Sequence, residues 1–283
     1  MRTEKEMLEL IIRFAEQDSN ILAVTMTGSR VNRNCICDMY SDFDIQYIVK
    51  DIKPYIQNKK WKEYFGELLI MQEPEDWFSH PYSIESKKQY PFLMQFCDGN
   101  RIDLIFVHID KMIQFNNETE PRIVLLNKNK NLEIAKIEST KMFDILKPTE
   151  KEFNNIVNEF LWLSLYVLKG INRNEITYAK NFIDNYEIEL LCKMVSWKIG
   201  INNGFEISLG KSYKYLMNYL SVSEIEQFCN IYSNGTIVDI YSKLLFIIDL
   251  FKENSMYVAE KLNFNLNINQ IENVLNYIKE QRT

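Results

Sequence analysis

Two stretches decide the fold: Ile21-Leu22-Ala23-Val24-Thr25-Met26-Thr27-Gly28-Ser29-Arg30 and Asp42-Phe43-Asp44-Ile45-Gln46-Tyr47-Ile48-Val49-Lys50. The first reads as a buried strand, Ile21 to Thr27, running into Gly28-Ser29. The second alternates. Phe43, Ile45 and Tyr47 fall on one side and Asp42, Asp44 and Gln46 on the other, the two-residue period of a strand. Upstream, residues 4–17 carry Leu8, Ile11, Ile12 and Ala15 at helical spacing. Downstream, residues 54–66 read as a helix, and Leu68 to Met71, Phe92 to Phe96 and Arg101 to His108 as strands. Asp98-Gly99-Asn100 is a hairpin signal between the last two. A mixed sheet with helices packed on it follows.

Near Lys147-Pro148 the pattern changes to the 3.6-residue period. Thr149 and Glu152 have capping-box spacing. An apolar stripe then runs from Phe153 to Leu168, and Gly170 is placed to cap it. Further helices are expected at about 174–199, 210–220, 222–232, 236–260 and 267–281. The fold class is therefore α+β: a sheet-containing domain over 1–147 and an all-α bundle over 148–283. A small-molecule site is expected in the cleft between them.

The chain has 283 residues, 33 basic and 39 acidic, and a net charge of −6. That balance argues against a nucleic-acid partner, since such partners draw affinity from phosphate neutralisation, and makes a template-dependent polymerase a poor reading. The charged N-terminus does not resemble a signal peptide, and the longest apolar run, Leu244 to Leu250, is too short to span a membrane. A cytoplasmic protein is expected, monomeric or weakly dimeric. Five cysteines with only His80 and His108 disfavour a zinc site and suggest free thiols, mostly filling the core.

Asp42 and Asp44 project from one strand face, where two close carboxylates repel unless a cation sits between them. Asp103, inside an apolar strand, would join them if it faces the same way. Three carboxylates of this kind suit Mg²⁺, which takes oxygen ligands, and can support displacement at phosphorus. Gly28 would let backbone approach a phosphate, Ser29 would add a hydroxyl and an N–H, and a helix start after them would add its dipole. Arg30 either counters phosphate charge or ties down the loop. A lone Asp-x-Asp or Gly-Ser pair is common; the conjunction, in this order and strand context, is far more specific.

The ordered motifs Met26-Thr27-Gly28-Ser29-Arg30, Tyr40-Ser41-Asp42-Phe43-Asp44-Ile45, Met71-Gln72-Glu73-Pro74-Glu75-Asp76 and Asp98-Gly99-Asn100-Arg101-Ile102-Asp103-Leu104 resemble the aminoglycoside 6-adenylyltransferase (streptomycin adenylyltransferase) family. That family lies within the nucleotidyltransferases with a polymerase-β-like core. Val167-Leu168-Lys169-Gly170 and Ser208-Leu209-Gly210-Lys211-Ser212-Tyr213-Lys214-Tyr215-Leu216 extend the resemblance into the helical half. It implies transfer of AMP from ATP, with Mg²⁺, to a streptomycin hydroxyl, releasing pyrophosphate and inactivating the antibiotic. By the same resemblance Asp42 and Asp44 are metal ligands, and Asp103 is a third ligand or the general base. Lys211 would reach the triphosphate, helped by Tyr232. Thr27, Cys97 and the stretch 181–187 depart from the family pattern, and these departures bear on the acceptor.

Streptomycin carries guanidinium groups, which call for carboxylates and aromatic faces. Asp184, Glu187 and Glu189 fit one wall, and Glu75, Asp76 and Trp77 the other. Glu159, in an otherwise apolar stripe, is a further candidate, and Trp162 and Trp197 read as core. The alternatives are the same chemistry on another small acceptor, such as a lincosamide-like drug or a metabolite, and a non-catalytic nucleotide-binding regulatory module.

Overall fold

The structure is a computed structural model that describes residues 1–32, 35, 37–76 and 88–281. The chain forms two compact units, Met1–Met142 and Phe143–Thr283.

In the first unit, helix α1 (Glu4–Gln17) leads into β1 (Ile21–Thr27), β2 (Phe43–Val49), a short α2 (Lys53–Gln57), β3 (Leu68–Gln72), β4 (Gln89–Phe96), β5 (Arg101–His108), α3 (Met112–Asn116) and β6 (Ile123–Asn127). Among the described residues the strands make one sheet in the order β3-β4-β5-β2-β1-β6. The β2–β5 pair is parallel and the other pairs are antiparallel.

The two-residue period assigns each face its task. Met26, Phe43, Ile45, Tyr47, Phe92, Met94, Ile102, Leu104 and Phe106 all point to the face covered by α1 and α2 and form the main core. The opposite face is divided along its length. At one end Ala23, Ile48 and Val107 pack with Met112 and Phe115 of α3. Towards the other end the residues of the same parity are polar: Thr25, Thr27, Asp44, Gln46, Asp103 and Arg101. Buried polar groups need partners, and Thr25 Oγ1 donates to Gln46 Oε1 at 2.6 Å. A sheet face that stays polar at one end is therefore built into the alternation of β1, β2 and β5.

The second unit is organised around α4 (Glu150–Asn172), followed by α5 (Ile176–Phe182), α6 (Ile188–Asn203), α7 (Val222–Cys229), α8 (Ile237–Leu262) and α9 (Ile268–Glu280). The Thr149–Glu152 capping box forms in both directions, which satisfies first-turn N–H groups. The Phe160 and Phe251 rings stack at 3.7 Å in the core of this bundle.

Several local expectations are corrected. The helix over 54–66 is broken: Asn58 adopts an extended conformation, and its side chain accepts from Lys60 N–H to start a separate 3₁₀ turn, Lys59–Phe65. The helix at 210–220 is two 3₁₀ turns, because Ser212 and Tyr213 take left-handed φ of 54° and 57°. The stretch 174–199 is α5 and α6 joined by a π turn, Ile183–Glu187. Gly170 is no cap, since α4 continues to Asn172; a Cβ there would meet Ala179 at 3.0 Å. Strand β6 and helix α3 were missed, their runs being short and flanked by polar residues. Only Cys192 of the thiols is buried; Cys37, Cys97 and Cys229 are exposed and Cys35 is intermediate.

Candidate active site

The polar end of the open sheet face is where the acidic residues meet. Parallel pairing sets Asp44 directly beside Asp103, and antiparallel pairing sets Thr27 beside Asp44. Asp42 precedes β2 by one residue and is tied to the same group through Arg101, whose Nε lies 3.4 Å from Asp42 Oδ2. Arg101 also grips Asp103 with both prongs, Nε to Oδ1 and Nη2 to Oδ2, each at 2.8 Å.

The electrostatics follow from crowding. Burial pushes the Asp44 carboxyl up to about 6, and the neighbouring charges of Asp103, Asp42 and Glu120 push the same way. Glu120 was missed by sequence reasoning, because no motif marks it. It lies in the segment leading into β6, next to the end of β1, where its own pKa is raised chiefly by burial. The Gly28 backbone amide acts in the opposite direction on it.

Gly28 turns the chain out of β1 at φ +74°, and its carbonyl accepts from the N–H of Val31 at 3.2 Å and Asn32 at 3.1 Å. The Asp44 carboxylate packs against it so closely that a Cβ would lie 1.8 Å from Asp44 Oδ2. Glycine is required there by conformation and by space together. The chain after Ser29 makes turns and bends among the described residues rather than starting a helix, so no helix dipole is added.

Arg30 is a brace. Its Nε donates to Asp42 O at 3.1 Å, its Nη2 to Ser41 O at 2.7 Å, and its Nη1 to Glu4 Oε2 at 2.9 Å. Its guanidinium lies 4.0 Å over the Phe43 ring. Two of these bonds hold the 41–42 backbone from which Asp42 projects, which is the loop-tying role of the two the sequence allows.

The donor set suits a hard divalent cation: carboxylate oxygens only, one of them short of charge compensation. Among the described residues no three His, Cys, Asp or Glu side chains are gathered closely enough to clasp an ion. Arg101 instead stands between Asp42 and Asp103.

A pocket of about 560 Å³ opens on the same sheet face, lined by Ile70, Gln72, Glu73, Asp76, Leu93 and Arg101 among others. Leu93 pairs with Asp103 across β4 and β5, and Arg101, which lines the pocket, is bonded to Asp103, so the pocket lies beside the carboxylates.

Comparison with known proteins gives the family. The family model described as Streptomycin adenylyltransferase matches residues 1–281. The chain belongs to that family. Its relatives include an aminoglycoside 6-adenylyltransferase of Bacillus subtilis (strain 168), 34% identical over 266 residues, 93% of each chain. One of Staphylococcus aureus is 34% identical over 280 residues, 99% of this chain and 98% of that protein. A crystal structure of an aminoglycoside 6-adenyltransferase from Bacillus subtilis is 30% identical, covers 99% of this chain and 98% of that chain, and superposes with a TM-score of 0.49. Membership in the streptomycin adenylyltransferase family makes the protein a nucleotidyltransferase.

The residues expected to bind the acceptor separate on inspection. Asp76 lines the pocket, on the 3₁₀ turn Pro74–Asp76. Trp77 lies outside the described residues. Asp184 is paired with Lys180 at 2.7 Å on the π turn. Glu159 is exposed on the polar face of α4 rather than in its apolar stripe, since the stripe runs through Phe153, Val157, Phe160 and Leu161. Glu187 is fully buried, with Oε1 accepting from Ser164 Oγ at 3.0 Å and Oε2 without a partner among the described residues. A side chain closed off from solvent presents no surface to a ligand, which corrects its assignment to an acceptor wall. Lys211, exposed next to the left-handed Ser212, and Tyr232, mostly exposed, both lie in the helical unit. No helix among the described residues is long and apolar enough to cross a membrane.

Proposed function

We propose that the protein transfers AMP from ATP, with Mg²⁺, to a hydroxyl of an aminoglycoside of the streptomycin type, releasing pyrophosphate and inactivating the drug. The observation that carries this reading is the adjacency of Asp44 and Asp103 on one open sheet face, beside the Gly28 turn and next to the 560 Å³ pocket that Arg101 lines.

Asp42, Asp44 and Asp103 are the residues that would hold the metal. When bound, Mg²⁺ would neutralise charge on the phosphates and on the attacking and leaving oxygens. Gly28 and Ser29 would present backbone N–H groups and a hydroxyl to the triphosphate. Arg30 would fix the 41–42 backbone from which Asp42 projects. Asp103, both of whose oxygens accept from Arg101, would serve as a third metal ligand or as the general base that takes the hydroxyl proton. Lys211 and Tyr232 would contribute from the helical unit to nucleotide binding. Glu73 and Asp76 make the pocket acidic, which suits a guanidinium-bearing acceptor, although Glu73 already bonds Lys59 at 2.7 Å.

The test is incubation with ATP, Mg²⁺ and a panel of aminoglycosides and lincosamides, reading pyrophosphate and an adenylyl mass gain on the drug. Modification of streptomycin supports the proposal. ATP binding with no drug modified would overturn it in favour of a different acceptor or a regulatory module.

A further inference from the structure

Arg101 is the one residue at the site whose position opposes the proposed chemistry. Its guanidinium makes a two-pronged bond to Asp103, with Nε and Nη2 each at 2.8 Å, and approaches Asp42 at 3.4 Å. Those are two of the three carboxylates that would hold a divalent cation. The forked geometry matches a carboxylate in a way an ammonium cannot. A guanidinium stays protonated at any working pH, so the positive charge is secure. The side chain is 40% exposed and lines the rim of the 560 Å³ pocket, so room exists for it to swing away. Arg101 sits two positions from Asp103 on the same face of β5, so that half of the bridge is local, while the Asp42 half depends on the pairing of β2 with β5.

We propose that Arg101 competes with the divalent cation for Asp42 and Asp103, so that a metal is held only when the guanidinium has turned out towards the pocket. This rests on the reading of the carboxylates as the metal site. The physical reason for such a competitor is the crowding of like charges: without a cation between them, Asp42, Asp44 and Asp103 repel one another. The guanidinium supplies that charge from within the chain. A metal must then displace an ion pair as well as shed water, which lowers affinity for the bare ion. It leaves affinity for the ion delivered with a triphosphate less affected, because phosphate oxygens complete the coordination and can accept the released guanidinium.

The test is Mn²⁺ binding to the full-length protein without nucleotide, by electron paramagnetic resonance and calorimetry, for the parent, Arg101→Met and Arg101→Lys. The Met variant should bind Mn²⁺ about fivefold more tightly, the equivalent of the about 1 kcal/mol that a partly exposed ion pair is worth. The Lys variant keeps the charge but loses the fork, and should bind about two- to fivefold more tightly than the parent. With Mn²⁺–ATP the three proteins should differ less. Mn²⁺ binding equal or weaker in both variants would overturn the proposal. So would a gain in the Met variant with none in the Lys variant, since that is the effect of net charge alone. Absence of Mn²⁺ binding in all three would instead overturn the metal reading on which the proposal stands. Circular dichroism of each variant confirms that the sheet is intact.

Discussion

Replacing Glu187 with Gln should stabilise the protein, and the gain should grow with pH. The side chain is fully buried in the helical unit, Ser164 is its one hydrogen-bond partner among the described residues, and burial raises its pKa well above 4.5. A carboxyl raised on folding binds a proton more tightly in the folded chain than in the unfolded one. Stability from this group is therefore full below about pH 4.5 and is lost as pH rises towards the folded value. Each pH unit above the unfolded value costs about 1.4 kcal/mol for as long as the group stays protonated in the fold. Gln has the same shape, carries no charge, and can keep a bond to Ser164 Oγ. Urea denaturation of parent and Glu187→Gln should give nearly equal midpoints at pH 5 and a clearly higher midpoint for the variant at pH 8. Taking the difference cancels every other titrating group. A variant that loses stability as pH rises would refute the argument, because it would mean that Glu187 is ionised and paired. The KM for an aminoglycoside should not change, since the side chain is closed off from solvent.

Further outcomes follow from the same geometry. Asp42→Asn should lower kcat/KM in the pyrophosphate-release assay by several orders of magnitude, since it removes a charge positioned for the transition state; parent-like turnover would end the metal assignment. Gly28→Ala places a methyl group 1.8 Å from Asp44 Oδ2 at a φ of +74°, so activity should fall at least about a hundredfold while far-ultraviolet dichroism stays near the parent's. On α4, Phe160→Ala removes a ring stacked at 3.7 Å on Phe251 and should cost about 3–5 kcal/mol in urea denaturation. Trp162→Ala, at a side chain 57% exposed, should cost under about 0.5 kcal/mol. Equal losses for the two would contradict the burial assigned to that helix.

Much of the fold was legible because the period of each element is written in its own residues. The strands Ile21–Thr27 and Arg101–His108, the helix Glu4–Gln17 and the Thr149 cap come out where local pattern puts them. The readings that failed are those where a neighbour decides. Trp162 has a core residue's chemistry but sits on the exposed side of α4, and Glu159 shares that side. Glu187 could be read as a ligand contact until its burial was visible.

By itself the sequence determined that Asp42 and Asp44 share a strand face, that Gly28 ends a buried strand, and that a sheet precedes a bundle. Those are properties of period and backbone freedom, which act over a few residues. Only the tertiary structure decided that β5 pairs in parallel with β2 so that Asp103 falls beside Asp44, that Glu120 approaches from the segment before β6, and that Arg101 bridges Asp42 and Asp103. Strand order and register depend on which distant surfaces bury each other best, and no local pattern carries that information.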